Sequence, residues 1–149
     1  VKSPADISAA FRAQGLKMTP QRQAIFAALH NNPTHPTAEA VYDTVRAQMP
    51  SISLRTVYQT LNDLADMGEI HQVDLGLGSA RFDPNTDHHH HLVCGACGTI
   101  VDVDSTSTEP VVPAGQAAGF VVEATDVIYR GVCGPCAANQ SPTVSGRMP

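Results

Sequence analysis

Tryptophan is absent from the 149-residue chain, and four phenylalanines and three tyrosines bring the aromatic share to only 5%. Such a sequence has little with which to line an organic-substrate pocket. No apolar run approaches the ~20 residues a membrane-spanning helix needs, and no basic-then-apolar leader opens the sequence. The expectation is a cytoplasmic protein with no membrane partner. Charge is sparse too: nine Lys/Arg stand against fourteen Asp/Glu, a formal net charge of −5. That sum speaks against a nucleic-acid partner until it is resolved along the chain. Residues 1–60 carry six cationic and three acidic side chains, a net +3, whereas residues 61–149 carry three and eleven, a net −8. Binding follows local potential, so the first part can meet phosphate while the second holds cations.

The periodicity changes at the same place as the charge. Ser3 and Pro4 open a helix over 3–14 that Gly15 ends, and Thr19-Pro20 opens a second with Ile25, Phe26 and Leu29 as its apolar stripe. Thr37 caps a third, with Ala40, Val41, Val45 and Met49 facing inward. Ser53 caps a fourth, in which Leu54, Val57, Tyr58, Leu61 and Leu64 keep helical spacing until Gly68. Alternation then predicts strands over Glu69–Leu75 and Ser79–Asp83 around Gly76-Leu77-Gly78, a hairpin signal. Helices followed by a two-stranded wing make an α+β chain with an N-terminal winged helix-turn-helix domain over 1–84. Residues 85–137 form a second domain: extended segments over His88–Cys94 and Thr99–Val103, one long strand or two within Phe120–Val132, and at most a short helix between them. Residues 138–149 read as a disordered tail.

Four cysteines stand as Cys94-Gly-Ala-Cys97 and Cys133-Gly-Pro-Cys136. Two C-x-x-C pairs can set four thiolates tetrahedrally around one Zn²⁺ and staple a module whose own core looks thin. A disulfide is disfavoured because nothing indicates secretion. A thioredoxin-type redox pair is disfavoured because no helical pattern follows Cys136. The same four thiolates around iron would make an electron-transfer protein, a reading that colour alone would decide.

His88–His91 are four consecutive histidines. On a strand, His89 and His91 share one face while His88 and His90 turn away. Asp83 lies just upstream, Asp102 on the next strand and His35 in a Pro-rich loop. Two imidazoles with two carboxylates and no sulfur favour Fe²⁺ or Mn²⁺, with Zn²⁺ and Ni²⁺ also possible. The same donors could form the facial triad of a non-haem iron enzyme, which the scarce aromatic lining argues against. Spacing alone does not choose between such a site and four solvated histidines.

Lys17-Met-Thr-Pro-Gln-Arg22, His35-Pro-Thr-Ala38, Ser53-Leu-Arg-Thr-Val-Tyr58, Arg81-Phe-Asp83, the histidine run and both C-x-x-C pairs stand in the order seen in the ferric uptake regulator superfamily. The resemblance covers roughly residues 5–137. Asp83, where iron-sensing members usually carry Glu, makes the chain most similar to the peroxide-sensing PerR-like branch and its actinobacterial catalase regulators. The resemblance implies a small C-terminal α/β dimerisation domain. It also implies a structural zinc, one per chain, on Cys94, Cys97, Cys133 and Cys136, and a regulatory Fe²⁺ or Mn²⁺ on His35, Asp83, His89, His91 and Asp102. Two departures stand out: Gln59 follows Tyr58 where many relatives have Arg, and no histidine occurs after His91 to build an additional His-containing site.

By the same resemblance the chain is a repressor rather than an enzyme. A homodimer would bind a palindromic double-stranded operator while metal is held, and release it when peroxide oxidises His35 or His89. The alternative within the superfamily is an iron or zinc uptake regulator without peroxide chemistry. For DNA, Arg55, Thr56, Tyr58 and Gln59 occupy the early exposed side of the fourth helix, and Lys17 and Arg22 are placed to meet phosphate.

Overall fold

In the computed structural model, residues 2–105 and 110–139 are described, and the chain divides into two compact units between His88 and His89. The first unit holds four helices, α1 (Pro4–Ala13), α2 (Pro20–Leu29), α3 (Ala38–Arg46) and α4 (Leu54–Asp66), then the strands β1 (His71–Val73) and β2 (Arg81–Asp83). Each helix start carries its own side-chain cap. Ser3 and Asp6 form a reciprocal capping box, and the hydroxyls of Thr19, Thr37 and Ser53 accept from Arg22, Ala40 and Thr56 N–H. α1 and α4 end alike. Gly15 and Gly68 take φ of 71° and 69°, a turn that lets Leu16 N–H reach the Phe11 carbonyl and Glu69 N–H the Leu64 carbonyl.

The helices enclose one apolar core built from Ile7, Phe11, Ile25, Phe26, Leu29, Val41, Val45, Ile52, Val57, Leu61, Leu64, Ile70 and Phe82. In α3 the inward positions are Ala38, Val41 and Val45, while Ala40, expected inside, is exposed. Ala40 lies about 100° around the helix from Val41, off the i, i+3, i+7 stripe that Ala38, Val41 and Val45 complete. The wing strands are shorter than alternation predicts. Glu69 is committed to closing α4, and the Asp74 side chain accepts from Gly76 N–H at 2.9 Å to begin the turn. β1 and β2 pair antiparallel with Val73 opposite Arg81 and His71 opposite Asp83. Beyond β2, Asn85 N–H bonds the Asp83 carboxylate and Asp87 N–H bonds the Asn85 side chain. These bonds continue the chain from the end of the wing as two successive side-chain-closed turns.

The second unit is a three-stranded sheet in the order β4-β3-β5, with β3 (His89–Cys94) central, β4 (Ile100–Asp104) antiparallel and β5 (Ile128–Gly131) parallel to it. A helix, α5 (Gly134–Asn139), follows. Strand β5 fills only the end of the expected 120–132 stretch. It pairs from His91 opposite Ile128 to Cys94 opposite Gly131, so residues 120–125 run past the start of β3 and find no partner in it. Helix α5 corrects two expectations: a helix does follow Cys133, and Ala138 and Asn139, assigned to the tail, belong to it. Residues 140–149 of that expected tail lie outside the described residues. Among the described residues of this unit, the buried apolar side chains are Val93, Cys94 and Ile100.

Candidate metal centres and nucleic-acid interface

The two C-x-x-C knuckles meet. The end of β3 brings Cys94 and the turn after it Cys97, Cys133 stands just before α5 and Cys136 in its first turn, and their four sulfurs lie within 4.8 Å of one another. No disulfide links them; Cys97 and Cys133 sulfurs are 3.6 Å apart, against about 2 Å for a covalent bond. Sulfurs at the corners of a tetrahedron with ~2.3 Å Zn–S bonds stand about 3.8 Å apart. The helix found after Cys133 does not revive the redox-pair reading, because its two cysteines share their cluster with two more. Cys133 N–H donates to the Cys94 sulfur at 3.3 Å, and with the Cys97 N–H it draws the Cys94 thiol down to about 6. The Thr99 hydroxyl lies 3.1 Å from the Cys97 sulfur and lowers that thiol as well, whereas hydrogen bonds to Cys133 and Cys97 push Cys136 up to about 12. Four thiols this close cannot all ionise unaided; a tetrahedrally coordinated dication such as Zn²⁺ would hold all four as thiolates.

The first unit contributes a separate pair of nitrogen and oxygen donors. His35 sits in the loop before α3 with φ of 49°, a left-handed backbone uncommon outside glycine. That loop is pinned to β2: Arg81 Nη1 donates to the His35 carbonyl at 3.3 Å, and Phe82 N–H to the Pro36 carbonyl at 3.0 Å. The Pro33 carbonyl accepts from His35 Nδ1 at 3.0 Å, which fixes the tautomer and turns Nε2 towards the Asp83 carboxylate at 3.4 Å. Both side chains are 1% exposed. A proton on Nε2 or a cation is needed to bring these two acceptors together.

The second unit holds three donors of the same kind. His89 and His91, two apart on β3, bring their Nε2 atoms to 3.1 Å. Register places Asp102 of β4 opposite His91, and its carboxylate lies 3.6 Å from His89 Nε2. His90 turns to the other face, towards the Tyr129 ring. His89, His90 and His91 alternate as expected, while His88 precedes the strand.

On α4, Arg55, Tyr58 and Gln59 are exposed, and Thr56 is half-buried with its hydroxyl 2.9 Å from that of Ser53. Two of these side chains have acidic partners that sequence reasoning missed. Tyr58 hydroxyl donates to Glu39 at 2.6 Å, holding the carboxyl below its ordinary range and the phenol above its own. Gln59 Nε2 donates to Asp63 at 3.1 Å, a contact that i, i+4 spacing signals. Lys17 is exposed, whereas Arg22 is half-buried: it donates to the Lys17 carbonyl, pairs with Asp63 at 3.1 Å and lies over the Phe11 ring.

The model of the ferric uptake regulator family matches residues 13–129. The chain belongs to this family. Among ferric uptake regulator relatives, a peroxide-responsive repressor PerR of Staphylococcus aureus is 43% identical over 94 residues, 63% of this chain and 64% of its own length. The chain thus spans just under two thirds of that relative. The ferric uptake regulator of Vibrio cholerae has a similar structure, with TM-score 0.66 and 29% identity over 86% of this chain and 100% of that one. The Helicobacter pylori ferric uptake regulator shares the fold, with TM-score 0.72 and 20% identity over 94% of this chain and 97% of that one.

Proposed function

We propose that the chain is a metal-dependent transcriptional repressor, not an enzyme, that binds operator DNA as a homodimer and releases it on exposure to peroxide. The observation that carries this reading is the division of nitrogen and oxygen donors: His35 and Asp83 on the winged-helix unit, His89, His91 and Asp102 on the sheet unit. One cation held by all five would make the placement of the DNA-reading unit depend on occupancy, which is a coupling free energy between metal and operator. Cys94, Cys97, Cys133 and Cys136 would hold one Zn²⁺ per chain and make up for a thin core.

The name of the Staphylococcus aureus relative supports the peroxide reading, and Asp83 favours it over a purely iron-sensing role. His35, Asp83, His89, His91 and Asp102 would hold the ion; Fe²⁺ there would supply electrons to peroxide, whereas Mn²⁺ would support DNA binding without that chemistry. His35 and His89 are the rings we nominate for oxidation. Each would gain one oxygen atom from H₂O₂ with release of water, and a ring so altered is a poorer ligand. Loss of the ligand then frees catalase and other peroxide-defence genes from repression.

Arg55 and Gln59 on α4 would face base edges, with Tyr58 packing on thymine methyls, Thr56 beside them, and Lys17 meeting phosphate. Arg22 contributes with the N–H groups it does not spend on Lys17 and Asp63. With so few cations, tight binding calls for two copies on a two-fold operator. Phe120 and Val121, 79% and 85% exposed, are apolar surface that a second copy would cover.

The test is an operator-binding titration with Fe²⁺, Mn²⁺, Zn²⁺ and Ni²⁺, each with and without H₂O₂. Binding lost only in the iron sample supports the proposal, together with a +O adduct on a peptide holding His35 or His89. Equal resistance to peroxide in all four overturns it in favour of an iron or zinc regulator without peroxide chemistry.

A further inference from the structure

Gln59 stands on the solvent side of α4, one turn after Arg55 and one turn before Asp63. Its Nε2 donates to Asp63 Oδ1 at 3.1 Å, while Asp63 Oδ2 takes Arg22 Nη2 at the same distance. A carboxylate only accepts, so the amide is not free to turn over: its NH₂ lies against Asp63 and its oxygen points away. Asp63 is itself held. Arg22 pairs with it at a site where both side chains are 18% exposed, donates to the Lys17 carbonyl, and rests its guanidinium 5.1 Å from the centre of the Phe11 ring.

We propose that Asp63 is a positioning residue that fixes the hydrogen-bonding sense of Gln59, and that Gln59 thereby selects bases whose exocyclic amine faces the major groove and rejects guanine, whose amine faces the minor groove. In the major groove adenine offers its N6 amine and cytosine its N4 amine, whereas guanine offers two acceptors, N7 and O6. An amide oxygen aimed outward accepts from the first two and opposes the third. A free glutamine would turn over to suit either. The proposal rests on the reading of α4 as a DNA recognition helix.

The Asp63→Asn variant makes the idea specific. Asn has one acceptor oxygen, and Arg22, which only donates, claims it. The Asn NH₂ then faces Gln59, whose oxygen must turn inward and whose NH₂ turns out. Preference at that base pair should move from adenine or cytosine to guanine or thymine.

The experiment is selection from randomised duplexes with the full chain, carrying its zinc and loaded with Mn²⁺, for wild type, Gln59→Ala, Gln59→Glu and Asp63→Asn. We expect one base pair per half-site at which wild type prefers adenine or cytosine over guanine by about tenfold. That preference should flatten in Gln59→Ala, persist in Gln59→Glu, which presents only acceptors, and reverse in Asp63→Asn. A structural role for Asp63 would instead weaken all duplexes alike and leave the motif unchanged, which overturns the proposal. So does a motif unaltered in Gln59→Ala, or a wild-type preference for guanine at the affected position. Should Asp63→Asn fail to fold by circular dichroism, the two Gln59 variants decide: a preference moved to guanine in Gln59→Glu overturns the idea. If wild type enriches no duplex at all, the recognition-helix reading itself falls, and the proposal with it.

Discussion

Cys133 lends its backbone N–H to the sulfur of Cys94 at 3.3 Å, so the main chain of one knuckle supports the thiol of the other. The two knuckles are coupled before any ion is considered, and removing one sulfur should undo the set.

Cys133→Ser should lower zinc from about one per chain to near zero, measured by plasma mass spectrometry on purified protein. With Val93, Cys94 and Ile100 as its buried apolar residues, the sheet unit has little to fall back on. Its melting transition should drop or vanish, corresponding to a loss of several kcal/mol. The α1–α4 core should still melt cooperatively. Full zinc retention in this variant contradicts the four-sulfur site.

Tyr58→Phe removes the donor that lowers Glu39. The sign is fixed by the direction of the shifts. Glu39 lies below its ordinary 4.5, so its share of stability is present above that value and is lost as pH falls through the lowered one. Tyr58 lies above its ordinary 10.0, so its share is present below about pH 10 and is lost as pH rises past the raised value. NMR titration of the Glu39 side chain should show its midpoint rise in the variant towards 4.5. Both groups face solvent, so the melting temperature should hardly move.

His89→Ala should weaken metal-dependent operator binding by tenfold or more while leaving the zinc in place. Fluorescence anisotropy on a labelled operator, with Mn²⁺ titrated in, measures this. Unchanged metal dependence would remove His89 from the regulatory set.

Phe26→Ala should cost about 3–5 kcal/mol in chemical denaturation, because Phe26 is fully buried and lies 4.9 Å, ring centre to ring centre, from Phe11. Ser53→Ala, which removes only a cap on α4, should cost about 1 kcal/mol. A loss of only about 1 kcal/mol at Phe26, no more than at the cap, would contradict the tight packing of that ring in the α1–α4 core.

Helix starts were legible because Ser3, Thr19, Thr37 and Ser53 act on backbone groups three residues away. The His89/His91 face was legible for a similar reason, since a period of two needs no partner. Strand lengths were not, because they depend on what lies alongside. Residues 120–127 are as rich in β-branched residues as β5, yet β5 begins only near where β3 can pair with it. Helix α5 is six residues long and contains Pro135, too short for an apolar period to emerge. Asp63 was not legible because it reads as a solvated acid on a helix; the contact that holds it comes from Arg22, 41 residues earlier in the chain.

Strand β3 carries both classes of donor, the imidazole pair at His89 and His91 and the first cysteine of the sulfur cluster at Cys94. At ~3.3 Å per residue, His91 and Cys94 are about 10 Å apart on one ruler. Inserting or deleting a single residue within that ruler would turn one end relative to the other and bring His90 to the wrong face. Such a change disables two metal centres in one step. Evolution and protein engineering alike are therefore free to vary the exposed Leu92 in kind, but not β3 in length.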